Sequence, residues 1–484
     1  MTMKMRLASL SLAALALAGA GGVAHADTLK EALALAYQTN PTLEAARAGQ
    51  RALDETVPIQ RAAGLPGVQG SAEYLEFLKT SSASFTSPSR AAGAGVTLNV
   101  PLYTGGAVKN GLRAAKERVQ AGRADLRGTE SAIFTQVVAA YMDVIQNEAI
   151  VGLSQNLVDV LSINLEATSD RFEIGILTRT DVAQSESRLA LARGDLRGAQ
   201  ANLIDARERY ILLVGKEPVD LQPPPPLPGL PDSADQAVDI ALANNPDLIA
   251  ARERLAAAGF DIDVARAGRL PTISAFLDGG YDNYLGTLGS QGQPIDQAQT
   301  TATAGVRATI PIFQGGRPAA QVRQAQANRA AALEREIGVE RDVIAQVRAS
   351  YSSWQAARAI AASTLVAVDA AELSLEGVRA ENTVGNRTII DILDAERELQ
   401  SARVQLITAR RNEYVAAFSL LAAMGRAEAR DLMLEGTGPL YDPVVNYDRV
   451  STKIWDWDED ADPIARSTRT VDTRPQTGEI GPPE

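Results

Sequence analysis

The 484-residue chain is predicted to be a mixed α and β protein made from two tandem copies of one unit, each contributing two membrane-length strands and two very long helices. Three observations predict it. Segments recur at a fixed offset along the chain, and two stretches in each copy alternate apolar with polar side chains. The chain then runs without proline from Gly105 to Glu217 and again from Ala319 to Gly438.

Residues 1–26 read as a signal peptide. Lys4 and Arg6 precede the apolar run Leu7 to Ala18, and Ala24-His25-Ala26 is a small-residue cleavage site before Asp27. Cleavage removes Lys4 and Arg6, taking the formal charge from −12 to −14, and removes His25, the only histidine of a chain without cysteine. Without imidazole or thiol, Ser-His-Asp and Cys-His hydrolases, zinc sites with N or S ligands, haem ligation and disulfides are excluded. No calcium loop, P-loop or dinucleotide fingerprint occurs, so no cofactor, no metal and no enzymatic activity are expected. The acidic balance argues against nucleic acid. The longest uncharged apolar stretch, Tyr414 to Met424, falls short of the roughly 18 to 20 residues of a transmembrane helix. An exported chain of this kind is either soluble or an outer-membrane β-barrel, and the absence of cysteine excludes an acylated anchor.

The duplication sets the domain boundaries. Asn40-Pro41 returns as Asn245-Pro246 and Leu65-Pro66 as Leu270-Pro271, both at an offset of 205. Pro101, Gly105-Gly106, Tyr141, Gly175, Asp181 and Gly215 return as Pro311, Gly315-Gly316, Tyr351, Gly385, Asp391 and Gly425 at an offset of 210. The copies are assigned to 27–222 and 232–435, joined by a stiff proline-rich linker at 223–231. Residues 436–484 form an acidic tail, with Asp456, Asp458, Glu459, Asp460 and Asp462 around Trp455 and Trp457, expected to be partly disordered.

Each copy opens with a short helix (Thr28 to Gln38; Ala234 to Ala243). Asn-Pro follows as N-cap and first residue of a second helix running to Leu-Pro. Strands are predicted at 67–78 and 92–103, then at 272–285 and 301–313. Val96, Leu98, Val100 and Leu102 share one face of the second strand, as do Val306, Ala308, Ile310 and Ile312 in the fourth. Pro101, Gly105 and Gly106, with Pro311, Gly315 and Gly316, mark tight changes from strand to helix. Breaks at Gly175 and Gly385 divide each proline-free stretch into a helix of about 65 to 70 residues, roughly 100 Å long, and one of about 35 to 40. Small side chains and a 5% aromatic content suit close, coiled-coil-like packing. Two hairpins cannot close a membrane barrel, which needs about eight strands or more. The chain must give its four strands to an oligomer, and three copies would supply twelve.

Taken together these elements resemble the TolC family of outer-membrane efflux and secretion ducts, from about Thr28 to Arg426. The resemblance rests on Pro101-Leu102-Tyr103-Thr104-Gly105-Gly106, on Pro311-Ile312-Phe313-Gln314-Gly315-Gly316, and on Val384-Gly385-Asn386-Arg387-Thr388-Ile389-Ile390-Asp391-Ile392-Leu393-Asp394-Ala395. It implies a homotrimer with a twelve-stranded transmembrane β-barrel continued by a long α-helical barrel. It also implies a passive exit duct for type I protein secretion, drug efflux or both. The implied partners are outer-membrane lipid, a periplasmic adaptor (membrane fusion) protein and an inner-membrane transporter of the ABC or RND type. The tail from Tyr441-Asp442-Pro443 to Trp457 looks like those of type I secretion members. The rival reading is a soluble periplasmic coiled-coil scaffold.

The resemblance also carries site roles onto the helix turns. The turn residues Gly175, Thr178, Gly385 and Thr388 fall at the tip where an adaptor docks. Arg387 falls at the basic gate position, Asp181 at its acidic partner, and Asp391 and Asp394 at carboxylate rings of the constriction. The family's supporting Tyr is Asn382 here. Beside these roles stands a local one: Thr178-x-x-Asp181 and Thr388-x-x-Asp391 are capping-box patterns at helix starts. Arg387 and Asp394 break the repeat, their counterparts being Leu177 and Gln184, so capping does not require them.

Overall fold

A computed structural model describes residues 27–79, 88–289 and 295–480; the expected signal peptide lies outside the described residues. The first copy comprises α1 (Leu29–Thr39), α2 (Pro41–Asp54), α3 (Thr56–Ala62), β1 (Gly67–Glu76), β2 (Arg90–Tyr103), α4 (Ala107–Glu173) and α5 (Arg179–Val214). The second comprises α6 (Ala234–Asn244), α7 (Pro246–Ala267), β3 (Thr272–Asn283), β4 (Ala298–Thr309), α8 (Arg317–Thr383) and α9 (Ile389–Ala423), and α10 (Pro443–Val450) follows.

Asn40 and Asn245 explain how each copy closes on itself. The Asn40 side-chain oxygen accepts from the N–H groups of Thr42 and Leu43, while its amide donates to the Leu213 carbonyl at 3.0 Å in the last turn of α5. Asn245 repeats the device, accepting from Asp247 and Leu248 and donating to Ala423 at the end of α9. One side chain thus satisfies orphan donors at one helix start and an orphan carbonyl at another helix end.

The two copies differ in the helix before their strands. A single helix was expected between Asn40 and Leu65, but α2 stops at Asp54 and α3 restarts at Thr56. Pro58 has no N–H for the Asp54 carbonyl and its ring crowds that oxygen. The counterpart of Pro58 is Asp263, and α7 runs unbroken for 22 residues.

α4 and α8 are each 67 residues, rods of about 100 Å. Each folds back on its successor as a helical hairpin, α4 on α5 and α8 on α9. The main core gathers around the first half of α4 and the last turns of α5 and α9, with Phe134, Tyr141, Leu203, Tyr210, Leu248 and Phe418 buried. Away from it the packing is thin. The chain exposes 30341 Å², against about 17,000 Å² for a compact globule of 51.2 kDa.

The tail folds back on the first copy. Asn446 in α10 donates to buried Asp54 at 2.8 Å, and Arg61 donates to the Ser451 carbonyl. Residues 451–480 have no helix or strand, and Arg207 of α5 donates to the carbonyls of Thr477 and Glu479. Within the acidic cluster Asp460 pairs with Arg449, and Asp458 with Lys453.

Candidate functional site

The strands form one antiparallel sheet in the order β1-β2-β3-β4, so the two hairpins of the chain join through β2 and β3. Their register sorts the side chains. Val68, Leu98 and Leu277 lie opposite one another, as do Val100, Ala275 and Val306, and Val96 and Gly279 fall on the same face. The other face carries Gln69, Thr97, Asp278 and Thr303 in one row, Glu73 and Asp282 in another, and Arg307 in a third. One side is therefore apolar apart from the Glu76–Arg90 pair at its loop end, and the other holds the remaining charges of the strands. Val68 and Val306 are 72% and 67% exposed. Among the described residues β1 and β4 have no outer partner, so ten- and twelve-residue edges stand unpaired. No helix of the described residues is long and apolar enough to cross a membrane.

The strand ends differ from the sequence expectation. β4 stops at Thr309, leaving Ile310, Pro311 and Ile312 outside the sheet, whereas Pro101 lies inside β2, where the pairing register shifts between Pro101 and Tyr103. A proline has no N–H for the ladder and is tolerated at an end or an irregularity. The joints follow at once: Gly105 and Gly106 have φ of 64° and 88°, Gly315 and Gly316 of 60° and 83°. A Cβ on Gly105 would stand 2.9 Å from the Ala267 carbonyl, so that joint also needs the close approach of α7.

At the far end of the rods the two turns share one geometry. Gly175 N–H bonds to Phe172 O and Ile176 N–H to Arg171 O; Gly385 N–H bonds to Asn382 O and Asn386 N–H to Glu381 O. Both are Schellman closures with the glycine at positive φ, 78° and 83°. Thr178 and Thr388 then open α5 and α9 with complete capping boxes. Asp181 accepts from the Thr178 N–H at 2.8 Å and its hydroxyl at 2.7 Å, and Asp391 accepts the same pair from Thr388. The Thr178 hydroxyl and N–H hold Asp181 below the usual aspartate value, and the Thr388 N–H and hydroxyl do so for Asp391.

Arg387 does not meet Asp181 within the chain. Its Nε donates to Glu381 at 2.7 Å, with Asp391 at 3.9 Å, and the hydrogen bond and charge of Glu381 raise its pKa. Asn382 donates to the Arg387 carbonyl at 2.8 Å and braces the turn. Asp394 faces the other hairpin, where Arg188 Nη2 lies 2.7 Å from its Oδ1. Sequence reasoning missed Glu381 and Arg188. Arg188 carried a usable signal, because its counterpart in the second copy is Glu398.

Comparison with known proteins extends the fold. The model of the outer membrane efflux protein family matches residues 32–216 and 237–426. Outer membrane efflux protein BepC of Brucella suis is 34% identical over 435 residues, 90% of this chain and 92% of that one. Outer membrane protein TolC of Escherichia coli is 26% identical over 439 residues, 87% of each chain. The outer membrane channel CmeC of Campylobacter jejuni superposes with a TM-score of 0.71 at 18% identity, covering 88% of this chain and 89% of that one, a likeness of fold.

Proposed function

The chain belongs to the outer membrane efflux protein family and is an outer-membrane exit duct, and from that premise we propose that it works as a homotrimer whose twelve strands close one barrel. The observation that carries the trimer is the four-stranded sheet with two open edges and one apolar face. In lipid the unpaired N–H and C=O groups of β1 and β4 have no water to satisfy them, so each edge needs a neighbour. The apolar face meets lipid and the charged face lines the lumen. The helical hairpins continue the passage as an α-helical barrel into the periplasm.

The tip is the proposed gate and docking point. Arg387, braced by Asn382, and the capped Asp181 form the latch between neighbouring hairpins, while Asp391 and Asp394 supply carboxylate rings at the constriction. The turns around Gly175 and Thr178, and around Gly385 and Thr388, take the adaptor protein, which couples the duct to an ABC or RND transporter. The soluble-scaffold alternative leaves the exposed row Val68, Leu98, Leu277 without a purpose.

The test is fractionation and mass. The duct reading expects the protein in outer membranes as a species of three chains that conducts ions in planar bilayers. A monomeric periplasmic pool without conductance would overturn it.

A further inference from the structure

Two of the chain's three tryptophans, Trp455 and Trp457, lie in the acidic tail, where passage through a duct gives them no task. They are held on a built loop. α10 opens on the Asp442 side chain, which accepts from the Val444 N–H, and closes with the Ser451 N–H on the Tyr447 carbonyl. The chain then leaves and returns. Arg449 grips both carboxylate oxygens of Asp460, at 2.6 and 2.8 Å, and Lys453 pairs with Asp458 at 2.9 Å. The Asp458 N–H closes a turn on the Trp455 carbonyl. With its base fixed by these two ion pairs, the loop presents Ile454, Trp455 and Trp457 at 69%, 72% and 81% exposure. Residues 449–462 carry five carboxylates against the two cations, so Asp456, Glu459 and Asp462 are in excess.

The packing of α10 places this loop along the molecule. Asn446 bonds to Asp54, Tyr447 packs on the cluster of Val57 with Ala115 and Val119 of α4, and the Ser451 carbonyl accepts from Arg61. α10 therefore runs in the direction of α2 and α3, towards the strands. Three residues past Arg61, Gly64 packs on Val108 in the first turn of α4, and β1 begins at Gly67. The loop thus springs from the level at which helices give way to strands, and the four residues from Ser451 to Trp455 can span at most about 14 Å. Exposed apolar side chains mark the same level: Ile59 on α3, Leu102 and Tyr103 at the end of β2, and Ile312 and Phe313 beyond β4.

In a duct whose strands cross the outer membrane, that level is the periplasmic surface of the bilayer. Indole suits such a surface, since its ring is apolar and its N–H finds a partner among the headgroups. The excess carboxylates choose between headgroups, because an anionic surface repels them and an ammonium attracts them. We propose that the 451–460 loop is a peripheral membrane anchor that seats Ile454, Trp455 and Trp457 in the periplasmic leaflet, among zwitterionic phospholipids bearing an ammonium group. The proposal rests on the placement of the strands in the outer membrane. Through Asn446 and Arg61 the anchor ties the first helices of the chain, and not the strands alone, to the lipid surface.

Tryptophan emission tests it. In the full-length protein Trp354→Phe leaves Trp455 and Trp457 as the only tryptophans. In vesicles of phosphatidylcholine and phosphatidylethanolamine brominated in their acyl chains, this emission is expected to be largely lost relative to unbrominated vesicles, while aqueous iodide leaves it unchanged. Replacing the zwitterionic lipid by brominated phosphatidylglycerol should restore it. Emission that ignores the bromolipid overturns the anchor, whether iodide reaches the rings, as on a free loop, or fails to, as beneath a neighbouring subunit. Quenching as strong in phosphatidylglycerol overturns the assignment to zwitterionic headgroups. A second reporter, Leu98→Trp in a chain that also carries Trp354→Phe, Trp455→Phe and Trp457→Phe, isolates the premise. Bromolipid quenching of that reporter with none in the loop overturns the anchor alone, and quenching at neither place overturns the membrane placement of the strands as well.

Discussion

Tyr141 and Tyr351, 210 residues apart, anchor their copies in the same way: the Tyr141 hydroxyl lies 2.9 Å from the Asp27 carbonyl and the Tyr351 hydroxyl 2.9 Å from the Asp232 carbonyl. Asp27 and Asp232 are themselves related by the offset of 205 and stand where each copy begins. A long helix thus fixes the entry of its own repeat. The environments differ, since Tyr141 is fully buried and also reaches Gln222 O at 2.7 Å, whereas Tyr351 is partly exposed.

That difference gives the first prediction. Tyr141→Phe removes the hydroxyl from both carbonyls in a buried site, leaving Asp27 O with only the Gln222 N–H at 3.4 Å, and should destabilise the fold by about 1 to 2 kcal/mol. Tyr351→Phe, where water can replace the hydroxyl, should cost less than about 1 kcal/mol. Thermal denaturation of the purified protein checks the order, and equal losses would remove the argument from burial.

The sheet register predicts opposite outcomes for neighbours on β2. Leu98 lies in the apolar row with Val68 and Leu277, and Asn99 faces the polar side opposite Phe276. Leu98→Arg should cost on the order of 2 to 4 kcal/mol near mid-bilayer and lower the assembled yield. Asn99→Arg should assemble normally. The reverse result would invert the assignment of the faces.

Glu130 on α4 should make stability depend on pH. Burial pushes its carboxyl up to about 7 from an ordinary value of 4.5, despite a hydrogen bond from Ala429 N–H; Glu428 adds to the rise, while Arg47 and Arg430 oppose it. The folded form holds the proton more tightly than the unfolded chain. Its contribution is therefore fully present below about 4.5 and is lost as pH rises through about 7. The loss is on the order of 3 kcal/mol at most. Tm should fall between pH 5 and 8, and Glu130→Gln should flatten that fall. An unchanged slope in the variant would assign the pH dependence elsewhere.

At the tip, Arg387→Ser removes the ties to Glu381 and Asp391 and should raise the resting conductance of single channels. Asp394→Ala should weaken block by multivalent cations. Arg188→Gln should strengthen that block, because it frees the Asp394 carboxylate from its partner. Planar-bilayer recordings decide both, and identical block in Asp394→Ala and Arg188→Gln would deny the carboxylate a place in the lumen.

Most of this architecture was legible because its determinants are local. Asn-Pro, Gly-Gly, the two turn glycines and T-x-x-D each act within a few residues, and the repeat shows each of them twice. The break at Glu55 is local too: Pro58 is interior to a helix begun at Pro41, and the repeat hides it because the second copy has Asp263 there. The strand ends shifted because alternation persists through Ile310 and Ile312 after the ladder stops at Thr309. The capping role of Asp181 and Asp391 was readable from spacing. The partners of Arg387 and Asp394 were not, because they depend on which faces of 100 Å rods come together. Only a break in the repeat, as at Arg188 and Glu398, hints at such a pairing.

The double role of Asn40 and Asn245 bears on the order of events during synthesis. Each amide waits for a carbonyl 173 or 178 residues further along the chain. Contacts of that separation form late and slowly, since a long loop must close before it is rewarded. The start of each copy therefore stays unlocked until its return helix has been made, and a chain halted within α5 or α9 lacks the contact that closes the copy. Slow closure also keeps the apolar strands available during export, so yield should respond to holding chaperones more strongly than the equilibrium stability of the finished protein suggests.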